Sequence, residues 1–188
     1  MNKNNIFSKA ATSIVDVQNQ GRIGIAQIQH QPYNTLSFLS VHRAYQEDSF
    51  KVKEVSESGN VNALLVHNYS DQCVLIMDGD ILKGAKQNRV ANTSVLVAPG
   101  VKIIIPVSCV EQGGWAYASN DFRPSDEVAY RNIREQKSRD IYENRSYGRA
   151  QHHVDQNQVW NHVGNFLSDQ GTHSGTASYS DAFESKRM

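Results

Sequence analysis

A chain of 188 residues is long enough for one domain that buries roughly 70% of its unfolded surface. Nineteen Lys and Arg balance nineteen Asp and Glu, which argues against a general nucleic-acid binder and against a polybasic membrane anchor. No apolar run approaches the ~20 residues of a membrane helix, and the N-terminus has no continuous apolar stretch of the signal-peptide kind. The expectation is a soluble cytoplasmic protein with no nucleic-acid or membrane partner.

Taken in chain order, Ile6, Phe7, Ala10, Ala11, Ile14 and Val15 recur at helical spacing and predict a short N-terminal helix within 1–20. Ile23, Ile25 and Ala26 or Ile28 read as a first strand. Asn34-Thr35 offers a cap, with Leu36, Leu39, Ala44 and Tyr45 on one face of a helix reaching Asp48. Val52 and Val55 lie in a charge-rich run and read as an edge strand. Val61–Val66 reads as the buried strand that completes a hairpin with it. Cys73–Met77 is continuous apolar, as in a strand covered on both faces. Both cysteines, Cys73 and Cys109, sit in apolar runs without metal-ligand spacing and read as buried free thiols.

Asp78-Gly79-Asp80 reads as a hairpin turn, or as two carboxylates at the edge of a site. Lys83 to Arg89 then places three cations and two amides in seven residues, with Gly84 free to turn sharply. If 88–97 is one extended strand, Asn88, Asn92 and Ser94 share a face, and Val95-Leu96-Val97 enters the core. Ala98-Pro99-Gly100 turns the chain back into a strand over 102–110. Pro106 cannot donate to a ladder, so this strand lies at an edge or carries a bulge. A bulge there would turn Ser108, Cys109 and Glu111 toward the polar start of the preceding strand.

Three large polar groups leading into a core strand are costly unless satisfied. Gln87, Asn88 and Arg89 therefore bond one another or a ligand. In the second case Arg89 and Lys86 suit phosphate, while Gln87, Asn88, Asn92 and Ser94 suit hydroxyls or a base edge. Asp80 and Glu111 are candidate acids or metal ligands, and Cys109 is a candidate thiol nucleophile if a cation activates it. Gly79–Lys86 misses the phosphate-loop pattern, because its lysine comes late and no Ser or Thr follows. His152-His153 with Asp155 reads as a solvated loop rather than a metal site.

Beyond Ser125 the chain is charged to Asn144, read as a solvated helix or connector within 123–154. Asp155 with Gln158 forms a capping-box-like start for a helix whose stripe is Val159, Val163, Phe166 and Leu167, closed by Gly171. The last residues, from Ser180, read as the opening of another helix. The fold expected is α+β: a mainly antiparallel, sandwich-like β core over 21–122 with appended helices, the last set being 155–188.

The run GAKQNRVANTSVLVAPG followed by IPVSCVEQGGW resembles the domain family named for its association with ADP-ribosylglycohydrolases and rhodanese-phosphatases. The likeness is densest over 78–115 and looser over 5–170. It implies a role in NAD and ADP-ribose metabolism, carried by Gly84 to Arg89, Asn92, Thr93, Ser94, Cys109 and Glu111. Gly113-Gly114-Trp115 stands where the family pattern has glycine-arginine-tryptophan, so one phosphate-gripping cation is absent. The likeness also implies chain beyond Met188, and so a truncated or divergent form. Three functions follow as expectations: an ADP-ribose-like nucleotide binder or processor, a non-catalytic interaction or structural protein, and a metal-dependent hydrolase.

Overall fold

The computed structural model describes residues 12–30, 37–56, 60–84, 87–113, 121–148 and 152–184. The chain divides into two compact units, residues 1–37 and 38–188. In the first, β1 (Thr12–Gln20) and β2 (Ile23–His30) form an antiparallel hairpin around Gly21-Arg22. The predicted N-terminal helix is thus corrected where it can be seen, since Ile14 and Val15 lie in β1. Thr12, Ile14, Val15 and Val17 are β-branched, which favours a strand. Pairing puts Ile14, Val17, Ala26 and Ile28 on one face. Residues 1–11, with the rest of that expected helix, lie outside the described residues.

The second unit opens with β3 (Phe38–Ser40), which passes directly into α1 (Val41–Gln46). Ser40 caps the helix, its Oγ accepting from Arg43 N at 3.2 Å, while the cap expected at Asn34-Thr35 lies outside the described residues. Leu39 is recruited to β3 by parallel pairing with β6, so the helix begins later than its apolar spacing implies. Six strands then close a barrel: β4 (Phe50–Glu54), β5 (Ala63–Asn68), β7 (Asp80–Gly84), β8 (Arg89–Ala91), β10 (Lys102–Cys109) and β11 (Asp121–Val128). Round the barrel their order is β10-β5-β4-β11-β7-β8. A small sheet, β3-β6-β9, adds β6 (Cys73–Ile76) and β9 (Val95–Val97).

The α+β class with mainly antiparallel pairing is observed, but the sandwich-like core is corrected to a closed barrel. Closure leaves β4 no free edge, against its edge-strand reading. The single strand expected over 88–97 is two strands in different sheets, separated by a bend at 92–94. Pro106 explains part of this. Its carbonyl accepts from Asn92 N, so its missing N–H points at the bend, where no ladder bond is needed.

Alternation sorts each strand into an inward and an outward row. Phe50, Val52, Leu64, Val66, Leu82, Ala91, Ile105, Val107 and Phe122 belong to the core cluster that fills the barrel. Ile81, Val90 and Val110 belong to a second cluster. It is covered by α2 (Arg131–Ser146), α3 (Gln156–Asp169) and the segment leading into α4 (Asp181–Glu184). This is why 81–82 and 90–91 read as continuous apolar pairs: both faces are buried.

Of the two readings of the charged run after Ser125, helix or connector, the structure shows the helix: the run is the end of β11 followed by α2. Helix α2 docks through Ile133 and, one turn on, Lys137, a lysine with no exposed surface. Its ammonium donates to Asp78 Oδ1 at 2.7 Å and to the Ala91 carbonyl. Asp155 caps α3 as expected, accepting from Asn157 N and Gln158 N, and Gly171 follows the helix at φ 63°. No described helix is long and apolar enough to cross a membrane.

Candidate functional site

One end of the barrel is polar inside. Here the inward rows run on from Val52 to Glu54, from Ala91 back to Arg89, and from Val107 to Cys109, with Cys109 paired to Arg89 across the ladder. The Arg89 side chain is 3% exposed and that of Glu54 is 8% exposed. Arg89 Nη1 donates to the Gln87 carbonyl at 2.8 Å, and Nη2 stands 3.7 Å from Glu54 Oε1. The guanidinium carbon lies 6.0 Å from the centre of the Phe122 ring. Arg89 Nε and Glu54 Oε1 are buried without a hydrogen-bond partner.

Gln87 ties this layer together. Its Nε2 donates to the Glu111 carbonyl at 3.0 Å, and its Oε1 accepts from Cys109 Sγ at 3.1 Å. Gln156, at the start of α3, mimics a ladder partner for Cys109. Cys109 N donates to its Oε1 and its Nε2 donates to the Cys109 carbonyl, both at 2.8 Å. Burial pushes the Cys109 thiol up to about 11; the nearby Arg89 charge opposes this, while Glu54 and Glu111 reinforce it. A thiol so placed is a protonated hydrogen-bond donor, not an activated thiolate.

Beside this buried layer a cleft of about 510 Å³ opens between the barrel and the C-terminal segment, within the size range of small-molecule sites. Asn88 and Glu111 line one wall, next to Ser178, Ser180, Asp181 and Glu184; Lys83, Gly84, Asp121 and Arg123 line the other. Glu111 forms a β-bridge with Ser178, and Asn88 Nδ2 donates to Ser178 Oγ at 3.4 Å. Glu111 Oε2 accepts from Asn88 N at 3.2 Å. Further bonds fasten the C-terminal segment to the barrel: Tyr179 N donates to the Val110 carbonyl, and Tyr179 OH to the Val128 carbonyl at 2.9 Å.

Glu127 anchors the opposite wall. Its nearly buried carboxylate accepts from Lys83, at 3.0 and 2.8 Å, and from the Ser125 and Ser180 hydroxyls. Although burial alone would raise its pKa, the Lys83 and Ser180 bonds outweigh it and hold the carboxyl below its ordinary value.

The residues nominated from sequence are thus separated. Asn88 and Glu111 reach the cleft, while Gln87, Arg89 and Cys109 form the layer beneath and bond largely among themselves. Asn92 accepts from Ser108 at 2.9 Å in a buried pair. Asp80 begins β7, about 13 Å along the strand from Gly84, with its Oδ2 taking the Met77 N–H at 2.8 Å. Burial raises its pKa, against that bond. Ser94 Oγ, from the 92–94 bend, accepts from Asp78 N at 3.0 Å, so Asp80 and Ser94 brace the β6–β7 turn and do not line the cleft. Lys86 lies outside the described residues. His153 and Asp155 border a separate hollow of about 530 Å³ between α2 and α3.

Sequence reasoning missed Glu54, Lys83, Arg123, Gln156 and the 178–184 wall. The signal available was Ser178-Tyr179-Ser180-Asp181, short hydroxyls beside a carboxylate.

A family model described as the ARG and Rhodanese-Phosphatase-superfamily-associated Protein domain, ARPP-1, matches residues 11–188. The chain belongs to the ARPP-1 family. The match takes in both the barrel and the 174–184 segment, so the ARPP-1 unit includes both walls of the cleft. No curated protein and no solved structure matches.

Proposed function

We propose that the cleft binds an ADP-ribose-like, NAD-derived nucleotide. The observation that carries this is the wall formed by Asn88, Glu111, Ser178 and Asp181: two carboxylates, an amide and a hydroxyl side by side are groups that read a ribose diol, each of whose hydroxyls needs an acceptor and a donor. The family's association, with ARG read as ADP-ribosylglycohydrolase, supports the same ligand class. Any processing of the ligand falls to Glu111, the one nominated acid that lines the cleft.

Thermal unfolding with ADP-ribose and with NAD tests the reading. A ligand at a hundredfold excess over its Kd stabilises by about 2.7 kcal/mol. Asn88→Ala and Glu111→Gln are expected to weaken binding about tenfold, or about 1.4 kcal/mol. Absence of stabilisation by either ligand, or equal stabilisation of wild type and both variants, would overturn it.

A non-catalytic structural role is favoured by one observation, the mutual bonding of Gln87, Arg89 and Cys109 beneath the cleft. The hydrolase reading has no such support: the described residues contain no group of three or more His, Cys, Asp or Glu able to hold a metal.

A further inference from the structure

Lys83 and Arg123 stand directly opposite each other on β7 and β11. Like charges in that position destabilise a sheet. Among the described residues Arg123 forms no ion pair with an acid. Lys83 is held by Glu127, and its ammonium also lies 3.6 Å from the largely exposed carboxylate of Glu184. The two cations line both the 510 Å³ cleft and an adjoining hollow of about 260 Å³.

We infer that Lys83 and Arg123 form a seat for a phosphate-type oxyanion, and that Glu184 keeps the anion's place in the free protein. Glu127 fixes the ammonium, so Lys83 presents a set point charge while Arg123 offers a planar fork for two oxygens. The remaining carboxylates of the cleft are engaged elsewhere. Asp121 sits 3.5 Å from Lys53 Nζ, Asp181 accepts from Ser174 Oγ at 2.6 Å, and Glu111 accepts from Asn88 N. Acids outnumber cations in the cleft lining, so the general field does not draw an anion in. Direct contact at the two cations must supply the binding, and removing one competing carboxylate should show. The inference deepens the nucleotide reading and rests on it for the rest of the ligand, while the seat itself takes a free oxyanion.

Isothermal titration at low salt with inorganic pyrophosphate, and separately with ADP-ribose, tests it on the full chain. Glu184→Gln is expected to tighten pyrophosphate roughly threefold to fivefold, the range of an exposed ion pair. Arg123→Gln should weaken it about tenfold, as for a lost charged hydrogen bond. Lys102→Gln, at the far end of β10, should leave it unchanged. All three residues are exposed, so the variants fold, which melting curves verify. Pyrophosphate that fails to bind, or binds alike to all four proteins, overturns the inference. ADP-ribose that binds but ignores Arg123→Gln and Glu184→Gln also overturns the seat, while leaving the nucleotide reading standing. If pyrophosphate follows the expected pattern and ADP-ribose binds no tighter, the seat stands and the nucleotide reading falls.

Discussion

Cys109 gives the sharpest test of how the polar end of the barrel is built. Its ordinary pKa is 9.0 and burial in the fold raises it to about 11. Because the folded pKa lies above the unfolded one, the thiol's contribution to stability is complete below pH 9 and is lost as pH rises through about 11. Two pK units correspond to about 2.7 kcal/mol, and Cys109 has no exposed surface to discount it. Tyr179, pushed up to about 12 from 10.0, adds a loss in the same direction. Lys137, whose pKa burial lowers from 10.5, acts in the opposite sense. Comparing Cys109→Ala with wild type cancels both. The assay is urea unfolding at intervals from pH 8 to 11. Cys109→Ala loses the Gln87 bond at every pH, a roughly constant cost of about 1 kcal/mol. The difference between the two proteins should then shrink and reverse as wild type loses its thiol-linked stability. Curves that remain parallel across that range would refute the buried, protonated thiol. So would rapid alkylation of Cys109 in the folded protein at neutral pH.

Two further outcomes follow from packing. A Cβ on Gly84, at φ 141°, would stand 2.3 Å from the Asp121 carbonyl. Gly84→Ala should therefore cost several kcal/mol in denaturant unfolding, in the range of a strained or overpacked core site. On Gly79, at φ 92°, the atoms nearest an added Cβ are those of the flexible Arg134 side chain, so Gly79→Ala should cost about 1–3 kcal/mol. Equal losses would show that the β7–β11 approach is less close than described. Asp78→Asn leaves the Lys137 ammonium buried without its counter-charge and should destabilise by about 3–5 kcal/mol. The double variant with Lys137→Met should recover most of that loss; no recovery would mean the pair is not coupled.

Local chemistry was legible wherever a short pattern decided it. Asp155 with Gln158 gave the α3 cap, and 102–110 gave β10 to within a residue. The barrel was not legible, because closure depends on which strands pair and no alternation records that. Thr12 to Val17 misled through aliphatic residues whose spacing fits a helix, although their β-branching favours a strand. Gln87-Asn88-Arg89 stood out as three large polar groups leading into a core strand, and the structure divides them between the cleft and the layer beneath it. Whether a member faced the cleft or the barrel interior turned on strand parity and on the bend at 92–94. Asn88 and Arg89, adjacent in sequence, therefore ended on different sides. Lys83 and Arg123 could not be paired from sequence, since their register is set across β7 and β11 by Gly84 meeting Phe122.

The cleft has one wall on β7 and β11 and the other largely from residues 178–184. A nascent chain leaving the ribosome can assemble its barrel strands before it has any cleft, since folding during synthesis proceeds from the N-terminal side. The hollow thus takes shape only once residues 178–184 have followed the barrel strands out. Removing residues 178–184 should open the cleft on that side and uncover Ile81, Val90 and Val110, which Tyr179 and Ala182 help to bury, so the segment is wall and core at once.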